Sequence, residues 1–174
     1  MTRSSLRLPL LAVLALAACG GHDGLTVNGQ VTAAGGLGDF HFATDTKLYG
    51  DESTPPNGVI AGHCTITRGV GGNPDKLDLG IQRTGVGPTD LGLSQLRIAI
   101  DDATPTHTRG TVAATFGQTD TYAGGPGTGG CDVSFLYDAQ DKTASFTLGT
   151  CNLVGASGTR SLSGQLQYYE CTVE

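Results

Sequence analysis

Residues 131–151 read CDVSFLYDAQDKTASFTLGTC, and this stretch predicts a β-hairpin. Apolar residues recur at every second position in Cys131, Val133, Phe135 and Tyr137, which is the period-two pattern of a strand with one buried face. Polar residues at 138–142 interrupt the alternation, and it resumes after them on the way back. A turn centred near residue 140 places Cys131 close to opposite Cys151, so the hairpin predicts a disulfide between these two cysteines.

The other cysteines after residue 19 are Cys64 and Cys171. Four cysteines in an exported chain are typical of two disulfides, and pairing Cys131 with Cys151 leaves Cys64 for Cys171. A zinc site is the competing interpretation. The four positions contain no C-x-x-C pair, which is the usual spacing of structural zinc ligands, so we favour the disulfides.

The rest of the chain repeats the pattern of the hairpin. Short alternating segments, such as Leu77–Ile81, are separated by clusters rich in Gly, Pro, Asn and Asp, and no segment sustains the 3.6-residue period of a helix. All 28 glycines lie after residue 18. We therefore predict one all-β domain, a single β-sandwich or closed barrel of about eight or nine short antiparallel strands, braced by disulfides.

The N-terminal residues have the organisation of a secretion signal. Arg3 and Arg7 form a basic start, and an apolar segment of 11 residues runs from Leu8 to Ala18. The run Leu16-Ala17-Ala18-Cys19 resembles the lipobox of bacterial lipoproteins. The alternative is a simple secreted protein cut at the small residues Ala17 and Ala18.

The resemblance implies cleavage before Cys19, a diacylglycerol thioether on its sulfur and acylation, such as by palmitate, of the new amino group. The chain is then expected to be held at a membrane by lipid without crossing it. The expected divisions are a signal peptide (1–18), a lipidated cysteine with a short tether (19–24) and the β domain (25–174). Gly20, rather than Asp, follows the cysteine, which in a Gram-negative lipoprotein favours the outer membrane.

Charge limits the classes of partner. The chain has 16 acidic residues and a formal net charge of −6, which falls to −8 when the two arginines of the signal peptide are removed. Nucleic-acid binders need a basic surface, so we expect no nucleic-acid partner. The expected partner is the membrane, through the lipid anchor, together with an unidentified protein or glycan.

Few side chains suggest chemistry. Asp101 and Asp102 are paired carboxylates after an apolar strand, and such a pair can hold Ca²⁺, act as acid and base, or cap a turn. Tyr169 is the outward-facing tyrosine beside Tyr168 and is a candidate for a binding surface. The four histidines are far apart in the sequence, and the sequence predicts no catalytic residue, metal site or cofactor.

These observations predict a membrane-anchored envelope lipoprotein with a binding or structural β domain. The alternative is an envelope hydrolase acting on glycan or ester substrates, with Asp101 and Asp102 as its acid pair. We favour binding, because aromatic residues are few and the histidines are isolated.

Overall fold

A computed structural model describes residues 24–50, 55–103, 110–125 and 130–174. The described residues form eleven strands and one short 3-10 turn at Ala34–Gly36, which confirms the all-β prediction. No helix among them is long and apolar enough to span a lipid bilayer.

The strands follow each other along the chain with short connections. Their bounds are β1 Thr26–Ala33, β2 Asp39–Lys47, β3 Ile60–Thr67, β4 Asp75–Arg83, β5 Leu93–Ala103, β6 Thr111–Phe116, β7 Asp120–Gly124, β8 Cys131–Asp138, β9 Thr143–Gly155, β10 Gly158–Tyr169 and β11 Thr172–Val173.

All eleven strands belong to one sheet, in the order β11-β3-β4-β5-β6-β7-β9-β10-β1-β2, and β8 pairs with β9 beside β7. Every ladder is antiparallel except the two-residue pairing of β11 with β3. The sequence predicts a sandwich or closed barrel of eight or nine strands. Both parts of this prediction are wrong, because the structure has eleven strands and its single sheet is open. Among the described residues, β2 and β3 share no ladder, and a single parallel bridge joins Tyr49 to Ala61.

Two of the strands carry little of the signal that reveals a strand in a sequence. β7 has one large apolar residue, Tyr122, in an otherwise polar or small segment, and β11 has only two residues. Both are short, and their pairing partners rather than their own sequences make them strands.

The sheet must curl, because its order and its connections require it. β10 and β11 are separated by only Glu170 and Cys171, yet six strands lie between them in the sheet. Two residues span no more than about 10 Å even when extended. The sheet therefore curls until the end of β10 approaches β3, with which β11 pairs. The resulting half-barrel encloses the hydrophobic core.

The inner face of this half-barrel is apolar. It buries side chains from ten of the strands, and the largest that are fully buried include Tyr122, Tyr168, Phe40 and Phe146. Burial raises the pKa of the Tyr168 hydroxyl far above its ordinary value, so it stays neutral. The outer face alternates with this core and carries the polar residues.

Disulfide bracing is confirmed, and the connectivity is the one that the hairpin favours. Cys131 of β8 pairs with Cys151 of β9, where the ladder places them directly opposite. Cys64 of β3 pairs with Cys171, just before β11. The second bridge crosses the place where the curled sheet meets itself, so it ties the two sides of the half-barrel together.

Candidate functional site

Three charged or titratable side chains meet on the outer face of β3, β4 and β5. Arg97 donates two hydrogen bonds to the Asp78 carboxylate, from Nε to Oδ1 at 2.9 Å and from Nη2 to Oδ2 at 2.5 Å. His63 Nε2 lies 3.1 Å from Asp78 Oδ1 on the other side. We call His63, Asp78 and Arg97 the outer cluster.

Strand register explains why these residues meet. Thr65 and Gly80 are the direct neighbours of Asp78 and His63 across the β3–β4 ladder, so the acid and the histidine are diagonal neighbours. Gly80 is also opposite Arg97 across β4–β5. Diagonal pairs lie within reach of long side chains on one face of a sheet.

Gly80 provides the space for the histidine ring. A Cβ atom built on Gly80 would lie 2.1 Å from His63 Cε1, so the ring rests directly over the glycine backbone. A larger residue at this position would push His63 away from Asp78. The glycine therefore fixes the geometry of the cluster.

The cluster holds Asp78 in its charged form. The hydrogen bond from Arg97 is the largest influence on the carboxyl and lowers its pKa below 3.8, while partial burial opposes this and His63 adds to the lowering. A two-nitrogen arginine–carboxylate pair is geometrically specific, so Arg97 and Asp78 hold each other in one orientation beside His63.

A polar trough begins beside this cluster. Gln82, Gln95 and Thr115 lie directly opposite one another across β4, β5 and β6 and form its floor. One depression of about 310 Å³ lies over this floor. A smaller one is lined by His63, Gln82 and Gln95, so the two share both glutamines and form one trough that runs from His63 to Gln118.

Two loops form the far wall of the trough. The Gln118 side chain, in the β6–β7 turn, donates from Nε2 to the Val86 carbonyl at 2.8 Å and joins that turn to the β4–β5 loop. Gly117 anchors the turn through its N–H, which donates to the Gly92 carbonyl at 2.8 Å. The wall is therefore held by hydrogen bonds between the loops as well as by the strands that carry them.

The lining of the trough offers hydrogen-bond donors and acceptors rather than acid–base groups. The Thr115 hydroxyl lies 3.4 Å from Gln95 Oε1, so the amide nitrogen of Gln95 stays available as a donor. Among the described residues, the Gln82 side chain has no hydrogen-bond partner of its own. Among the described residues, no carboxylate lines either depression, although the chain carries 16 acids.

The candidates predicted from the sequence are not brought together. Asp101 and Asp102 lie within β5, where two residues oppose one on β4, and both are exposed. Asp101 Oδ1 is 3.9 Å from Lys76 Nζ, an exposed pair of small energetic value. Tyr169 is half-buried on β10, and its hydroxyl accepts from Asn28 Nδ2 at 3.1 Å.

Some predictions fall where the structure gives no information. Cys19 lies outside the described residues, as do the signal peptide and the tether up to residue 23. Lipidation of Cys19 and the expected divisions at 18 and 24 therefore stay predictions. Within the described ranges, no group of three or more His, Cys, Asp and Glu side chains is placed to hold a metal ion.

The sequence does not predict the outer cluster, although its members carry a signal. Each lies out of phase with the buried residues of its own strand, as His63 does beside Cys64 and Asp78 beside Leu77 and Leu79. Phase alone indicates which face a side chain occupies. It does not give the register between strands, which decides which outward residues become neighbours.

The chain matches no protein-family model, no curated protein and no solved structure.

Proposed function

We propose that this chain is a lipid-anchored protein of the cell envelope whose β domain binds a ligand through the polar trough. The anchor rests on the lipobox-like run that ends at Cys19. In a Gram-negative source, Gly20 after this cysteine favours the outer membrane. Two disulfides suit this location, since disulfides persist in oxidising compartments such as the periplasm and the cell surface.

The trough supports the binding part of the proposal. Its floor lies on three neighbouring strands in the interior of the sheet, so its side chains are displayed on rigid elements. Its amides and hydroxyls supply donors and acceptors, and the described residues that line it include no pair of acids that could act as acid and base. Recognition of a polar ligand fits this lining better than hydrolysis does.

The anchor is tested by replacing its cysteine. We expect Cys19→Ser to abolish labelling with a radioactive fatty acid and to move the protein from the washed membrane pellet to the soluble fraction. Two or more acyl chains are needed for stable anchoring, and the variant has no sulfur to receive the first of them.

A matched control separates anchoring from folding and binding. Gln82→Ala alters the trough and leaves Cys19 intact, so it should stay labelled and pellet with membranes. A Cys19→Ser protein that still pellets after a high-salt wash would contradict the lipid anchor.

A further inference from the structure

We propose that the trough binds a neutral, amide-bearing glycan, such as a chain of N-acetylated amino sugars. This rests on the proposed binding function and names the class of ligand. The first support is charge: the chain has a net charge of −6, yet the described residues that line the trough include no carboxylate, and Arg83 is the cationic side chain of its larger depression. A cationic ligand would find no counter-charge there.

The second support is the kind of hydrogen bond on offer. The Gln82 amide presents a donor and an acceptor, and Gln95 presents a donor and the second lone pair of the oxygen that faces Thr115. The two residues are direct cross-strand neighbours on strands spaced about 4.8 Å apart. A phosphate or carboxylate would use only the donors. Amide and hydroxyl groups on a ligand would use both.

The third support is the shape and composition of the trough. Its larger depression is open, and Val86 is the only aliphatic side chain among the described residues that line it, so this lining offers no pocket for an apolar side chain. Peptide recognition depends on such pockets for specificity. A polar repeating polymer needs none, because weak binding at one site becomes strong when many anchored copies engage one chain.

The absence of an aromatic platform in the lining sets the expected strength. Stacking on an aromatic face supplies much of the binding energy for rings, and here hydrogen bonds in contact with water must suffice. We therefore expect a dissociation constant in the millimolar range for a single short oligosaccharide, which corresponds to roughly −4 kcal/mol.

The test uses the full chain in detergent micelles, titrated with tri-N-acetylchitotriose and followed by the side-chain amide signals of glutamine in NMR. We expect the signals of Gln82, Gln95 and Gln118 to shift together and to saturate. The double variant Gln82→Ala and Gln95→Ala should weaken the response of Gln118 at least tenfold.

Two comparisons make the result decisive. The double variant Gln165→Ala and Gln167→Ala changes two exposed glutamines of β10, outside the trough, and should bind as the unaltered chain does. Equal binding of maltotriose, which has hydroxyls and no amide, would contradict the amide preference. No shift up to tens of millimolar would overturn the proposal. That outcome would leave the anchor standing, since the membrane pelleting of Cys19→Ser is measured separately.

Discussion

Asp78 is the residue that organises the outer cluster, because both Arg97 and His63 bond to its carboxylate. Its outward position follows from the alternation of β4, in which Leu77 and Leu79 point into the core. The pair with Arg97 is accessible to water, so its contribution to stability is modest. Its value lies in holding the end of the trough in one geometry.

Removing the charge of Asp78 should change how stability depends on pH. The folded-state pKa of Asp78 is lowered, so its contribution is fully present above the ordinary value of 3.8 and is lost as the pH falls through the folded value. We expect Asp78→Asn to lower the free energy of unfolding by up to about 1 kcal/mol at pH 6. The difference in the free energy of unfolding between Asp78→Asn and the unaltered chain should become smaller below pH 4.

Urea unfolding at pH 6 and at pH 2.5 measures the free energy of unfolding of Asp78→Asn and of the unaltered chain. Asp141→Asn, which changes an exposed aspartate in the β8–β9 turn, is the control and should show no such narrowing. A gap between Asp78→Asn and the unaltered chain that stays constant across this pH range would show that Asp78 ionises as an ordinary surface carboxyl.

At the scale of strands, glycines set the curvature of the sheet at irregular positions. Gly164 of β10 and Gly29 of β1 lie beside register shifts whose extra residues belong to the partner strands β9 and β2, and their φ angles are +131° and +111°. A Cβ on Gly164 would lie 2.1 Å from the Gln30 carbonyl oxygen. Such bulges bend a strand and increase its local twist, which a sheet that curls on itself needs.

Gly164→Ala should therefore destabilise the domain by at least about 2 kcal/mol, because it combines an unfavourable φ with a backbone clash. Gly149→Ala is the comparison on the β9 side of the same irregularity: Gly149 has no left-handed φ, and a Cβ added there would have no atom within 4 Å. Urea unfolding compares the two. Equal free energies of unfolding for the two variants would mean that the Gly164 position tolerates a side chain.

The sequence predicts the strands better than it predicts how they connect and pair. The 131–151 hairpin and its disulfide follow from alternation and a clear turn, which are local signals. Asn28-Gly29, by contrast, resembles a tight hairpin turn, and the structure continues through it as the single strand β1, with the extra residues of the adjacent register shift on β2. Partners distant in sequence decide that choice, as they decide the register that assembles the outer cluster and the trough.

At the scale of the whole molecule, an open sheet encloses a core because its two sides are tied together. The connection through Glu170 and Cys171, the parallel pairing of β11 with β3 and the Cys64–Cys171 disulfide all act at this junction. Short alternating strands fit a sandwich or a closed barrel equally well, which is why the sequence predicts either. The sheet order, with β8 and β7 sharing one edge of β9, is a long-range property that alternation does not specify.

The two disulfides should differ in their effect on stability. They are separated by 107 and 20 residues, and the loop-entropy model assigns roughly 5 and 3 kcal/mol to loops of these lengths. We expect the pair Cys64→Ala and Cys171→Ala to lower the free energy of unfolding more than the pair Cys131→Ala and Cys151→Ala. The reverse order in urea unfolding would contradict a structural role at the junction of the sheet.

Whether the domain is held at a membrane by lipid on Cys19 is decided by the mass of its N-terminal peptide. The protein is extracted from membranes with detergent and digested, and the peptide is analysed by mass spectrometry. We predict that it begins at Cys19 and carries a diacylglycerol group, with a further acyl chain on the amino group in a Gram-negative source. An unmodified N-terminus at or after Cys19, or an intact signal peptide, would contradict the proposed anchor.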